Sequence, residues 1–237
     1  MLEVSNIAFS YGSKQVLSDV SFVVSPGETV SVVGDNGAGK TTLLKVLATL
    51  AFPDSGRIMA DGQNALDNPL KYRRQLGYLP EKVALYEEMS VRDYLGYRAR
   101  LKGEHVRRIR RRVSEAAELC RLADLLRTPI ARLSQGLRKR VALADALLLR
   151  PRVLLLDDFL AGLDLEMREA MAGILSEAAA FSSVIVTGHE ILDLARWTTR
   201  FLVLRSGVLT ATIPASGAEP ATVCAKVSAA LKAGGAA

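Results

Sequence analysis

The stretch Gly34 to Thr42 (GDNGAGKTT) holds the residue types that a phosphate group needs. Gly34, Gly37 and Gly39 let the main chain turn tightly and aim its N–H groups inward, with Asn36 and Ala38 completing the loop. Lys40 adds a point cation for β- and γ-phosphates, and the Thr41 hydroxyl, next to Thr42, suits Mg²⁺. A second cluster is Asp157-Asp158, which closes the unbroken apolar run Val153 to Leu156. Ligands bind at the carboxyl ends of parallel strands, so two acids there belong beside the phosphate loop. Asp157 fits Mg²⁺, directly or through water, and Asp158 can orient a water that attacks a γ-phosphate. The plainer alternative for either acid is a helix cap at a strand–loop junction. His189 follows another apolar run, Val184 to Thr187, and can donate to a γ-phosphate from the same edge. Ser134 and Gly136 open a helical stretch. Taken alone they read as a simple N-cap, although a hydroxyl, free amides and a helix dipole also make a second phosphate-binding corner.

These residues need a sheet with helices around it. Thr29 to Val33 reads as the buried strand before the phosphate loop, and Thr41 to Leu50 as the helix behind it. Leu2 to Phe9 alternates like a half-buried strand, and Val16 to Val24 is a second strand closed by Ser25-Pro26-Gly27. Arg57 to Ala60 and Asp61-Gly62 predict a hairpin. From Glu81 the pattern turns helical. Ser90 with Asp93 predicts a capped helix to Leu101, and Glu104 to Leu126 a longer one with Val106, Ile109 and Val113 on its apolar face. Another helix runs from about Ser134 to Leu149. Helices at 165–180 and 191–197 and a hairpin around Ser206-Gly207 follow. The Ala/Gly-rich tail carries a weak helical stripe of Val223, Val227 and Leu231.

With 237 residues and 49% apolar content, the chain is long enough for one α/β domain with an insertion. Aromatics at 5% argue against a surface that stacks many bases, and the net charge of +6 favours an anionic ligand or membrane surface only weakly. Cys120 and Cys224 lack metal-ligand spacing and read as reduced thiols. No apolar run reaches the ~18 residues of a membrane span, and Met1 to Ser10 is unlike a signal peptide, so the expectation is a soluble, intracellular protein.

The ordered set GDNGAGKTT, LSQG, LLLDD, AGLD and GHE resembles the nucleotide-binding subunit of ABC transporters, over nearly the whole chain to about Thr212. The resemblance implies an α/β P-loop NTPase core with a parallel central sheet, an N-terminal antiparallel β subdomain and an inserted α-helical subdomain. On that pattern the chain is a single domain, with core at about 1–80 and 140–212, insertion at about 82–139 and tail at 213–237. Gly34–Thr42 becomes the Walker A loop, Val153–Asp157 the Walker B strand, Leu133–Gly136 the signature motif and Ala161–Asp164 the D-loop. His189 becomes the switch histidine, and Tyr11 the aromatic that stacks on adenine, against a plainer reading of Tyr11 as core. ATP and Mg²⁺ are the implied ligands. Two such domains face head to tail, with ATP between the phosphate loop of one and the Ser134 corner of the other. They drive membrane permease subunits from the cytoplasmic face of the membrane.

Three positions depart from the pattern. Glu81, in Tyr78-Leu79-Pro80-Glu81, stands where a glutamine normally meets Mg²⁺ and the attacking water. It keeps acceptor capacity and loses the amide donor. This Pro-Glu form resembles export-type subunits. Asp158 replaces the catalytic glutamate and is one methylene shorter, about 1.5 Å of reach. Since misplacement by ~1 Å can cost ~10²-fold in rate, slow hydrolysis is expected. Gln135 replaces a glycine, with a small expected effect. The run Arg107, Arg108, Arg110, Arg111 and Arg112, with Lys102, is either a solvated helix face or a contact for anionic lipid or acidic permease loops. Nucleic acid is not an expected partner. Two alternatives to an export ATPase stand: a weakened subunit that regulates a competent paralogue, and a soluble ATPase acting on ribosomes or DNA.

Overall fold

A computed structural model of the chain describes residues 1–232; residues 233–237 of the expected tail lie outside the described residues. The elements in chain order are β1 (Leu2–Tyr11), β2 (Lys14–Val24), β3 (Thr29–Val33), α1 (Lys40–Leu47), β4 (Ser55–Ala60), β5 (Gln63–Asn64), α2 (Pro69–Arg73) and β6 (Leu76–Leu79). There follow α3 (Val91–Leu101), α4 (Val106–Leu119), α5 (Gln135–Leu147), β7 (Val153–Leu156), α6 (Leu165–Ala179), β8 (Ser183–Thr187), α7 (Ile191–Leu194), β9 (Arg200–Arg205), β10 (Val208–Pro214) and α8 (Pro220–Lys232).

Two sheets organise these elements. The first is antiparallel, in the order β2-β1-β4-β5; the second is six-stranded, in the order β10-β9-β3-β8-β7-β6. In the second, β9, β3, β8, β7 and β6 run parallel and β10 returns antiparallel along the edge. Every residue of β3, β7 and β8 is buried, as strands covered on both faces require. Successive side chains alternate faces, so Val184 and Val186 join the core under the helices while Ile185 joins the core around α1. The order places the carboxyl ends of β3, β7 and β8 side by side, which brings Gly34, Asp157 and His189 to one edge. This is the expected α/β layering.

The helical insertion follows β6, and its boundary with the core falls within one element. α5 is N-capped by Ser134, and residues Val141 to Leu147 along its second half are all buried. The division expected near residue 139 therefore lies inside a continuous helix. Asp145 of α5 also ties the insertion down. Arg98 Nη2 lies 2.9 Å from its Oδ2 and Lys102 Nζ 2.8 Å from its Oδ1.

The structure departs from the local expectations at four points. α4 stops at Leu119 instead of Leu126. Arg121 takes a left-handed φ of 54°, its N–H donates to Glu118 O, and Leu122 N–H donates to Ala117 O at 2.7 Å. That is a Schellman termination with arginine where glycine is usual, and it folds the fully buried Leu122 back into the core. Val106, expected on the apolar face, is 71% exposed. The five-residue helix α2 was not anticipated, although Asn68 caps it and Pro69 occupies its first position. α7 is also shorter than expected and ends at Leu194. In the tail, Val223 and Val227 of α8 are buried and Leu231 packs partly against the core.

Candidate functional site

The phosphate loop is held in shape before any ligand arrives. A Cβ on Gly34 would lie 2.1 Å from Leu204 O, so only glycine fits at the exit from β3. Gly39 sits at φ 105° immediately before α1, which aims the first free N–H groups of that helix into the loop. Lys40 Nζ folds back and donates to Gly34 O at 2.7 Å and to Asp35 O at 3.0 Å. Burial holds the Lys40 ammonium below its usual pKa, against the opposing pull of Asp158, Asp35 and Asp157. An ammonium hydrogen-bonded to two main-chain carbonyls is poised to exchange them for anionic oxygens.

Asp157, 2% exposed, ends β7 next to this loop. Its Oδ1 accepts from Thr41 Oγ1 at 3.2 Å and from Thr187 Oγ1 at 2.7 Å. The Tyr78 phenol nearby is pushed up to about 12 by burial, with Asp157 adding to the rise. Asp158 takes a left-handed φ of 46°, which aspartate tolerates better than most residues. Its N–H donates to Thr187 O at 3.1 Å and Thr187 Oγ1 at 3.0 Å. Its Oδ2 lies 3.9 Å from His189 Nε2, while its buried Oδ1 has no hydrogen-bond partner among the described residues. Burial raises the Asp158 pKa; His189 opposes the rise, and Glu190, Glu81 and Asp157 add to it.

A cleft of about 660 Å³ gathers these groups. Asn36, Gly37, Gly39, Lys40, Thr41 and Thr42 line it, together with Glu81, Asp157, Asp158 and His189. Tyr11 stands at its margin, 52% exposed and edge-on to Phe9, so it is not a core residue. Gly34 and Ala38 shape the loop from behind. Ser134 and Gly136 do not line the cleft. The Ser134 hydroxyl accepts from Leu137 N–H at 3.3 Å as a helix cap, and Gly136 lies under Met167, whose Cε would be 2.6 Å from an added Cβ. Sequence reading passed over Thr187, which braces both acids, and Lys14, Gln15 and Val16, which line the cleft beside Tyr11. The signal for Thr187 was a hydroxyl at the carboxyl end of an apolar strand; a strand start such as Lys14 carries no comparable mark.

The donor set suits a small hard cation. A hydroxyl and a carboxylate on neighbouring elements offer oxygen only, and among the described residues no cluster of three or more His, Cys, Asp or Glu builds a complete metal cage. Such a partial set fits a metal that is shared with phosphate oxygens and water.

Known proteins resemble this chain in sequence and fold. The chain is 32% identical over 207 residues to the uncharacterized ABC transporter ATP-binding protein YxlF of Bacillus subtilis, covering 87% of this chain and 68% of that one. It is 38% identical over 209 residues to the sulfate/thiosulfate import ATP-binding protein CysA of Synechococcus elongatus, covering 87% of this chain and 60% of the relative's length. A solved chain described as the ATP binding subunit of an ABC transporter superposes with a TM-score of 0.83 at 30% identity, over 96% of this chain and 99% of that one. A dimeric, post-hydrolysis structure of the ATP-binding cassette MJ0796 with ADP and Pi superposes at 0.80 and 25% identity, over 92% of this chain and 100% of that one. The profile of the family described as ABC transporter matches residues 17–161, which include the phosphate loop and both aspartates, and the chain belongs to that family as an ATP-binding domain.

Proposed function

We propose that this chain binds and hydrolyses ATP as one of two cassettes that drive a separate membrane permease. The observation that carries this reading is the division of the parts. One cleft gathers the phosphate loop, Glu81, Asp157, Asp158 and His189, while the Ser134 corner lies outside it. A single copy thus holds the main part of a site and offers the remaining corner to another. Head-to-tail pairing supplies each cleft with the partner copy's hydroxyl corner.

Within the cleft, loop amides and Lys40 hold the β- and γ-phosphates, and Tyr11 stacks on the base. Thr41 and Asp157 would hold Mg²⁺, with Glu81 as a further oxygen acceptor, and the bound ion would supply positive charge for the phosphate oxygens. Asp158 orients the attacking water through the oxygen that has no partner among the described residues, and His189 donates to the γ-phosphate. The short Asp158 side chain and its φ of 46° support slow turnover. The same feature favours the second reading, a weakened subunit beside a competent paralogue.

A groove of about 650 Å³ between α3 and α4 supports the permease contact. Arg92, Arg100 and Arg110 line it among Met89, Tyr97 and Ile109, a surface suited to an apolar segment with acidic residues. Part of the basic run has other work, since Arg112 pairs with Glu104 at 3.0 Å and Arg111 with Glu115 at 3.3 Å. Among the described residues no helix is long and apolar enough to cross a membrane, which fits a peripheral subunit on the cytoplasmic face. The export direction suggested by Pro80-Glu81 finds no support in CysA or in the Fe(3+) import protein FbpC of Mannheimia succiniciproducens, 32% identical over 217 residues; direction is left to the permease.

The test is assembly. Asp158→Asn keeps the binding groups and removes the carboxylate, so light scattering with Mg·ATP should show a doubled mass that returns to one chain without nucleotide. A mass that stays at one chain under saturating Mg·ATP would overturn the reading.

A further inference from the structure

α5 carries a lysine one turn beyond Ser134 that points inward. Lys139 is half-buried, and its Nζ donates to Phe159 O at 3.2 Å and, more closely, to Ala161 O. Burial lowers the pKa of this ammonium, while Asp158, Glu190 and Glu81, in that order, raise it. Lys139 is not among the residues that line the cleft. The carbonyls it binds belong to the turn that follows the left-handed Asp158. Ala161 N–H closes that turn on Asp158 O at 3.2 Å, and Leu163 N–H closes the next on Leu160 O at 3.2 Å. A non-glycine residue in the left-handed region persists where its surroundings over-determine it. Thr187 fixes the Asp158 amide from one side, and Lys139 fixes the following carbonyls from the other.

We propose that Lys139 is a positioning residue for hydrolysis: it ties the turn Phe159–Ala161, and with it the Asp158 carboxylate, to the helix headed by Ser134. The inference rests on the role given above to Asp158. Because one helix carries both Ser134 and Lys139, the setting of the Asp158 turn follows the setting of the corner that meets the other copy's nucleotide.

The test compares Lys139→Met and Lys139→Arg with the unaltered chain. Steady-state ATP turnover gives kcat and KM, and hydrogen exchange of the Leu160–Leu163 amides is measured without nucleotide. With Met, kcat should fall about 10- to 100-fold with KM within about twofold, as misplacement of a reacting group predicts. Exchange in the turn should quicken about tenfold. Arg should recover both. Unchanged kcat, unchanged exchange, a loss carried by KM alone, or an Arg variant no better than Met would each overturn the proposal. If Lys139→Met does not fold, Lys139→Gln takes its place under the same criteria. Absence of ATP turnover in the unaltered chain would sink the ATPase reading; the exchange result would then decide the anchoring role alone.

Discussion

The phosphate loop and the Ser134 corner are both built around a helix N-terminus, yet they are finished to different degrees. Around α1 the chain has already chosen its partners. Lys40 is folded onto two carbonyls, Thr41 is bonded to Asp157, and Asp157 is bonded to Thr187. At α5 the Ser134 hydroxyl does nothing more than cap its own helix, and Ser134 and Gln135 are exposed. The difference teaches where each gains its meaning. Under the proposed function, the first is a binding site in one copy, and the second becomes one only against another copy.

Substitutions can break or sharpen that contrast. The largest effect is expected of Lys40→Ala, which removes the charged donor from the complete site. Calorimetry should show ATP affinity falling by about 100-fold, the scale of one charge-assisted bond at about 1.5–3 kcal/mol, with turnover lost. Ser134→Ala should lower turnover by about 100-fold while leaving ATP binding to a single copy unchanged. Weakened binding at the single-copy level would erase the contrast. Asp158→Glu restores the missing methylene and should raise turnover about tenfold or more; equal or lower turnover would refute the reach argument. Gln135→Gly is the smallest change, within about twofold in turnover, because the Gln135 amide packs toward Gly162 of the chain's own loop.

Much of this was legible in the residues themselves. The apolar runs at β3 and β7 announced strands buried on both faces, and the acids and glycines at their ends marked the edge where chemistry sits. Legibility failed where tertiary contact overrode local signals. Nothing in Leu119-Cys120-Arg121-Leu122 announces a helix end, because the termination uses arginine where glycine is the usual mark. It is stabilised by burying Cys120 and Leu122. Lys139 was equally silent: within a run of Arg138, Lys139 and Arg140 it looks like a solvated face. Only the folded chain separates it from its neighbours, turning its ammonium toward Phe159 and Ala161. Thr187 braces two acids that lie about thirty positions earlier in the chain; its own strand marks only a hydroxyl at the carboxyl end, and the fold supplies what that hydroxyl holds.

The geometry of α5 has a mechanical consequence. Its far end is clamped at Asp145 by Arg98 and Lys102, and its N-terminal end carries Ser134. At 1.5 Å per residue the arm between these points is about 16 Å, so a tilt of about 10° about the clamp displaces the serine hydroxyl by about 3 Å. That is the length of a hydrogen bond. Under the proposed function, a small rotation of α5, which carries Lys139 and the turn it holds, is therefore enough to make or release the grip on a neighbour's phosphate.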